Sequence, residues 1–245
     1  MNDLLDMAVE AHGGIDRWDR ARSLTVDAQI SGSLFELKGQ PDIFKQVEVE
    51  ISCTDPYTVY RSLGGAKERH GSFEPGRVAI FHGEELQEEL INPRAALHAL
   101  SLAEPWQELH ALYFGGYAIW HYLAAPFVFT RQGFQAEEIA PWNEGDEIWR
   151  RLEVTFPKSV PSNCPTQTYH FDQNGLLRRM DYHVEILNVE IPVAHYCDDH
   201  RSVDGIIVPH RRRAVPRRND GTADFGALYV GIDLQNVVIQ TAFSL

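Results

Sequence analysis

The sequence predicts an α+β protein in which one large curved antiparallel β-sheet, a half-barrel or open barrel, wraps a few helices. Segments of alternating apolar and polar residues begin at residue 23 and return after Pro126, as half-buried strands require. Short turn sequences such as Asp204-Gly205 join consecutive segments. Between the two strand-rich parts, residues 104–124 are apolar on nearly every side, which predicts a buried helix.

Composition and charge restrict the classes of partner. The chain has 245 residues with 22 Lys and Arg against 35 Asp and Glu, a formal charge of −13. Because phosphate neutralisation needs a basic face, we expect no nucleic-acid partner. The apolar fraction of 44% is that of an ordinary globular protein. No repeat, low-complexity tract or linker is visible, so we expect residues 1–245 to form a single α+β domain.

The cysteines and the N-terminus indicate a compartment. Cys53, Cys164 and Cys197 lie far apart with no C-x-x-C pair, which favours reduced thiols in the cytoplasm over a zinc site or disulfides. The N-terminus has neither a basic leader nor an apolar run of signal-peptide length, so we expect a cytoplasmic protein. Eleven histidines invite a metal, but strand alternation separates those near residue 198. We expect no metal and no other cofactor.

The N-terminal half predicts a helix followed by strands. Apolar residues at helical spacing predict a helix over 2–12, which ends at Gly13-Gly14, and a short helical turn within 15–22. Alternation predicts strands over 23–30 and 43–51. Turn-rich sequences separate two further strands at 57–62 and 77–82.

The middle of the chain predicts two helices that begin at prolines. Pro93 opens a helix to about residue 102, and Pro105 opens the second, over 104–124. Its apolar surface must pack between layers, or against a sheet and a ligand. Gly115-Gly116 would allow a close approach to its backbone. The apolar run 109–129 approaches membrane-spanning length, but its histidines, glycines and proline predict a buried helix and no membrane insertion.

The C-terminal part predicts strands to the end of the chain. Six segments alternate or are rich in β-branched and aromatic residues. They are 149–156, 166–172, 176–187, 193–200, 206–215 and 228–241. About ten strands in all make one strongly curved sheet.

Three consecutive C-terminal strands carry the candidate catalytic residues. If the register lets them meet, one cavity collects Asp181, His183, His195, His210 and Arg212. Asp181 would then orient His183 or His195 as a general acid or base. Arg212 would stabilise developing negative charge together with Tyr122 or Tyr182. The alternative, equally open, is a solvated sheet face with many ion pairs.

Aromatic side chains on and beside the apolar helix are the candidate ligand-binding residues. They are Tyr113, Tyr117, Trp120, Tyr122, Phe127, Trp149 and Tyr182. A largely apolar cavity with a few convergent polar groups is typical of small-molecule sites. The leading hypothesis is a cytosolic protein that binds a small, mostly apolar or aromatic molecule between the sheet and helix 104–124.

Two other classes stay open. The first is a cofactor-independent enzyme, such as a cyclase, isomerase, lyase or dehydratase, using the same cavity. The second is a partner-binding module, which predicts an exposed apolar patch. Edge strands could also pair two chains into a homodimer.

Several segments carry a family likeness. Residues 114–127 (FGGYAIWHYLAAPF), 149–157 (WRRLEVTFP), 169–172 (YHFD), 175–182 (GLLRRMDY) and 194–196 (AHY) resemble a family of uncharacterised bacterial cytosolic proteins. Residues 203–209 (VDGIIVP) resemble the last strands of LolA/LolB-like lipoprotein carriers.

The resemblance implies a curved sheet around an apolar cavity plugged by helices, and it implies no particular reaction. This chain departs from both families. The exported carriers have a signal sequence, whereas the first residues here predict none, and His210 stands where the resemblance to the bacterial family leads us to expect threonine. An added imidazole in a pocket can change what the pocket does.

Overall fold

The computed structural model describes residues 3–241, and thirteen strands lie within them. They are β1 (Ala21–Ser31), β2 (Val47–Ser52), β3 (Thr58–Arg61), β4 (Arg69–Glu74), β5 (Arg77–His82), β6 (Glu85–Ile91), β7 (Gln135–Glu144), β8 (Glu147–Thr155), β9 (Thr166–Phe171), β10 (Leu177–His183), β11 (Pro192–Val203), β12 (Ile206–Pro216) and β13 (Val230–Thr241). All pair in one antiparallel sheet of order β6-β5-β4-β3-β2-β1-β13-β12-β11-β10-β9-β8-β7. The sheet is open, because β6 and β7 are its two edges. The predicted large antiparallel sheet is confirmed.

Helices occupy the start and the middle of the chain. They are α1 (Asp3–Ala11), α2 (Ile15–Trp18), α3 (Ser33–Leu37), α4 (Pro93–His98) and α5 (Glu108–Ala124), with 3-10 turns at Leu63–Gly65, Phe127–Thr130 and Glu185–Leu187. The sequence did not predict α3, since five residues are too few to show a helical period. No helix within residues 3–241 is both long and apolar enough to cross a membrane.

The long helix α5 is buried along its length. Every residue from Leu109 to Ala124 is buried, which accounts for a sequence that is apolar on all sides. One flank packs against β3, β4 and β5. A methyl group at Gly116 would overlap Cβ of Phe73, so the predicted close approach to the helix backbone is confirmed there.

Three strands escaped sequence prediction. Two of them, β6 and β7, are the edges, and most of their side chains are exposed. A strand in water on both faces shows no alternation, which is why the pattern search missed them. Both edges are rich in glutamate, and β7 contains Pro141, features that oppose pairing with another chain. The third, β4, contains Arg69, His70 and Gly71, which mask its short apolar pattern.

The register of β10, β11 and β12 decides which side chains face α5. Met180 pairs with His195, and Cys197 pairs with Arg212, so these four side chains lie on the face toward α5, here called the inner face. Asp181 pairs with Ala194 on the opposite, outer face. The strand predicted over 176–187 ends at His183, because residues 185–187 form a 3-10 turn.

Candidate functional site

A cavity of about 430 Å³ lies between α5 and the inner face of the sheet. On α5 its wall includes Phe114, Gly115, Ala118, Ile119 and Tyr122, and on β10 to β13 it includes Tyr182, Val193, His195, Ala214 and Ile232. The third wall is α3 with the end of β1. Leu37 on α3 and Leu102 in the loop before α5 also line the cavity, and they are 76% and 47% exposed. The cavity therefore opens to solvent between α3 and that loop.

Lys38 connects the two sides of this opening. Its ammonium donates hydrogen bonds to the carbonyl oxygens of Leu102 and Glu104. Burial lowers the pKa of this ammonium, and the carboxylate of Glu104 acts in the opposite direction. The backbone carbonyls satisfy a cation whose stem lies along the apolar rim, an arrangement common for lysine.

A chain of buried polar groups crosses the floor of the cavity. Tyr117 Oη donates to Asn163 Oδ1 at 2.9 Å, and Asn163 Nδ2 donates to Tyr122 Oη at 3.4 Å. Tyr122 Oη lies 2.9 Å from Tyr182 Oη, which lies 3.3 Å from His195 Nδ1. Burial raises the pKa of all three tyrosines. Burial also lowers the pKa of His195 far below its ordinary value, so all of these hydrogen-bonded side chains are uncharged near neutral pH.

Arg212 lies behind this floor and does not line the cavity. Its guanidinium donates to the carbonyl oxygen of Tyr122 in the last turn of α5 and to Cys197 Sγ at 3.1 Å, and it stacks 5.7 Å from the centre of the Tyr122 ring. A helix C-terminus carries partial negative charge, which stabilises this buried cation. Its positive charge adds to burial in lowering the pKa of His195.

The five candidate catalytic residues do not converge. His195 lines the cavity, and Arg212 lies behind it. His210 is on the inner face but outside the cavity, where its Nδ1–H donates to the carbonyl oxygen of Val208 at 2.9 Å. Asp181 and His183 are on the outer face, because the register pairs Asp181 with Ala194 and His183 with Pro192. Asp181 therefore cannot orient His195.

Asp181 belongs instead to a buried ion-pair network on the outer face. Arg179, fully buried, donates to both carboxylate oxygens of Asp181 at 2.7 and 3.0 Å, to Glu144 at 3.1 Å and to the carbonyl oxygen of Gly221. His170 donates to Asp181 at 3.2 Å. Burial raises the pKa of Asp181, but His170 and Arg179 outweigh it, and the pKa is lowered. The network joins the sheet to the segment that contains Gly221. The alternative prediction of a sheet face with many ion pairs thus describes the outer face, although Arg179 is fully buried and Asp181 is mostly buried rather than solvated.

Two of the seven aromatic candidates, Tyr122 and Tyr182, line the cavity. The other α5 aromatics point elsewhere: Trp120 Nε1 donates to the carbonyl oxygen of Ser52, and Tyr117 faces Asn163. Tyr113 is buried 5.7 Å from the Phe73 ring.

The remaining two aromatic candidates lie off α5. Phe127 stacks on Trp18 with 4.5 Å between ring centres, and Trp149 packs with Tyr196 on the outer face. A helix that is apolar all round gives no indication of which side meets the cavity.

Sequence reasoning missed the α3 wall and Tyr60. No period marks the short helix α3, so its lining residues Leu34 and Leu37 carried no signal. Tyr60 could have been found, because the predicted strand over 57–62 alternates and places Thr58 and Tyr60 on one buried face. Among the residues the structure describes, no three His, Cys, Asp or Glu side chains are grouped as a metal ion would need.

Solved structures share this fold. A LolA superfamily protein from Nitrosomonas europaea superposes with a TM-score of 0.53 and 11% sequence identity over 95% of this chain and 92% of that one. A putative outer membrane lipoprotein-sorting protein domain from Vibrio parahaemolyticus gives 0.55 and 7% over 98% and 93%. No protein-family model and no curated protein matches the chain. By fold the chain is a LolA-like open half-barrel, and its particular feature is the apolar cavity under α5.

Proposed function

We propose that this protein binds and carries one small, mostly apolar molecule in the cavity between α5 and the sheet. The observation that supports the proposal most directly is the cavity itself, about 430 Å³ in volume with a predominantly apolar wall. Pockets for small molecules have volumes of roughly 300–1,000 Å³ and a few placed polar groups. Here those groups include Tyr60, Tyr122, Tyr182 and His195.

Small side chains keep the space open. Ala118 and Ala214 line the cavity from opposite sides. Protein interiors are normally packed to the density of organic crystals, so a space of this size under a fully buried helix requires a reason. A bound apolar molecule would supply the van der Waals contacts that the side chains of the wall lack.

The description of the Vibrio parahaemolyticus structure as a putative lipoprotein-sorting domain is consistent with a lipid-like cargo. We propose the cytoplasm as the compartment, because Cys53, Cys164 and Cys197 are buried free thiols. Burial raises the pKa of Cys53 to about 12 and that of Cys164 to about 11, which keeps both thiols protonated and unreactive.

Binding without turnover fits this cavity better than the enzymatic alternative. A cyclase, isomerase, lyase or dehydratase of the predicted kind needs a carboxylate that orients the imidazole. Asp181 is on the outer face, and the His195 ring is hydrogen-bonded in the cavity floor to the neutral hydroxyl of Tyr182. We therefore propose a carrier.

Fluorescence titration with Nile red, a neutral apolar dye, tests the proposal. We expect saturable binding to the wild-type protein, and at least about tenfold weaker binding to Ala118→Leu, whose added carbons occupy the cavity. The control Ala66→Leu adds the same carbons at an exposed site and should bind like the wild type. Absence of saturable binding, or equal binding by both variants, would refute the carrier function.

A further inference from the structure

Two residues that line the cavity carry a buried polar atom with no hydrogen-bond partner among the described residues. These atoms are Nε2 of His195 and Oη of Tyr60. A buried polar atom left unsatisfied costs free energy, and most such atoms in native proteins have a partner. Eleven such unpartnered atoms occur among the described residues, and these two are the ones whose residues border the cavity, where a ligand could supply the partner.

The hydrogen-bond chain in the floor fixes which kind of partner His195 seeks. Asn163 Nδ2 can only donate, so Tyr122 Oη accepts from it. The Tyr122 proton then goes to Tyr182 Oη, the remaining neighbour at 2.9 Å. The Tyr182 proton goes on to Nδ1 of His195 at 3.3 Å. With Nδ1 as acceptor, a neutral His195 carries its proton on Nε2, which is a donor without an acceptor.

Hydrogen-bond donation in the opposite direction, from His195 toward Tyr122, would be less favourable. If Nδ1 of His195 donated to Tyr182, Tyr182 would donate to Tyr122, and Tyr122 would accept twice. The Tyr122 proton would then be buried without a partner. The direction that starts at Tyr117 satisfies every hydroxyl proton in the chain.

We propose that the ligand carries a neutral hydrogen-bond acceptor, a ketone or ester carbonyl, that receives Nε2–H of His195, with the hydroxyl of Tyr60 as a second donor. This inference rests on the proposed function, since it specifies the ligand of the same cavity. In this arrangement the apolar part of the ligand lies toward α3 and the opening, and its carbonyl group lies toward the floor of the cavity.

The charges around the cavity favour a carbonyl over a carboxylate. Lys38 is the one cationic side chain in the described wall, and it donates to the carbonyls of Leu102 and Glu104 at the rim. Arg212 is behind the floor, occupied by Tyr122 and Cys197. An anionic head group would lose its water without gaining a cation, a large cost in an apolar site. The chain's charge of −13 also disfavours anions.

Displacement of Nile red by matched ten-carbon probes tests this inference. We expect wild-type affinities in the order 2-decanone above decane, with decanoate weakest. His195→Phe removes the donor and keeps a planar ring, so 2-decanone should lose about three- to tenfold in affinity while decane is unchanged. Tyr113→Phe is the matched control, because it also removes one buried polar group but at a side chain outside the cavity. This control should change neither affinity.

The outcomes separate the two proposals. If Nile red binds but His195→Phe affects 2-decanone and decane equally, or decanoate binds best, the carbonyl inference is wrong and the carrier function stands. If Nile red does not bind, the carrier function itself fails. Should His195→Phe not fold, ¹⁵N NMR of the wild-type protein decides: the Nε2–H tautomer of His195 supports the inference, and the Nδ1–H tautomer overturns it.

Discussion

The empty space beside α5 can be tested by enlarging two alanines of the same helix. Ala111 and Ala118 are seven residues apart, so they lie on nearly the same side of α5. Ala118 lines the cavity, whereas Ala111 is fully buried in the core outside it. Substituting each by leucine adds the same three carbons with the same change in helix propensity. The two variants therefore differ only in what surrounds the new side chain.

The expected stability changes have opposite signs. In Ala118→Leu the three carbons fill the cavity, and burial at about 0.8 kcal/mol per carbon stabilises the ligand-free protein by about 2 kcal/mol. In Ala111→Leu they enter a packed core, where overpacking costs about 1–3 kcal/mol. The two variants should differ by about 3–5 kcal/mol in the free energy of unfolding.

Urea unfolding followed by tryptophan fluorescence measures these values, and thermal unfolding gives a second reading. For a chain of this size about 1 kcal/mol corresponds to roughly 2–4 °C, so the melting temperatures should differ by about 10 °C. Added Nile red should raise the melting temperature of the wild type by more than that of Ala118→Leu, which binds the dye more weakly. Equal destabilisation by both substitutions would refute the cavity, since it would mean that the space beside Ala118 is filled.

Three further predictions concern the core, the outer face and acid stability. Gly116→Ala places a methyl group against Phe73 and should destabilise by about 1–3 kcal/mol, although alanine is the better helix former. Arg179→Met leaves the buried carboxylate of Asp181 without its main partner and should cost about 3–5 kcal/mol. Burial lowers the pKa of His121 to about 3. The unfolded chain, with a histidine pKa near 6.5, therefore binds the proton first as the pH falls. As a result, the free energy of unfolding decreases from about pH 6.5 toward pH 3. At pH 5 the loss is about 2 kcal/mol, which His121→Phe should remove. Urea midpoints measure the first two changes at pH 7 and the third at pH 7 and pH 5.

Each of these predictions has a control and a contradictory result. Gly76→Ala meets open space and should be neutral, so equal effects at Gly76 and Gly116 would contradict the close contact. Arg201→Met breaks an exposed pair with Asp199 and should cost little stability, because solvent screens such a pair. A similar cost for Arg179→Met would mean that the outer network does not stabilise the protein. The acid prediction fails if His121→Phe and the wild type lose the same stability between pH 7 and pH 5.

The sequence by itself determined the class of fold and the character of its central helix. In β1, β11 and β12 one face of the strand is more buried than the other, so apolar and polar residues alternate. This alternation can be read within each strand alone. The apolar surface of α5 likewise predicted complete burial. Sequence patterns do not reveal edge strands such as β6, because exposure on both faces leaves no alternation to detect.

Only the tertiary structure decided which residues meet at the cavity. The sequence placed Asp181 and His183 on one face of their strand and His195 on one face of the next, but it does not contain the register between strands. Pairing of Asp181 with Ala194 puts the carboxylate outside and His195 inside, and a shift by one residue would reverse this. The cavity forms where Ala118, Ala214 and α3 come together from distant parts of the chain. Its space depends on packing between elements, which no local pattern records.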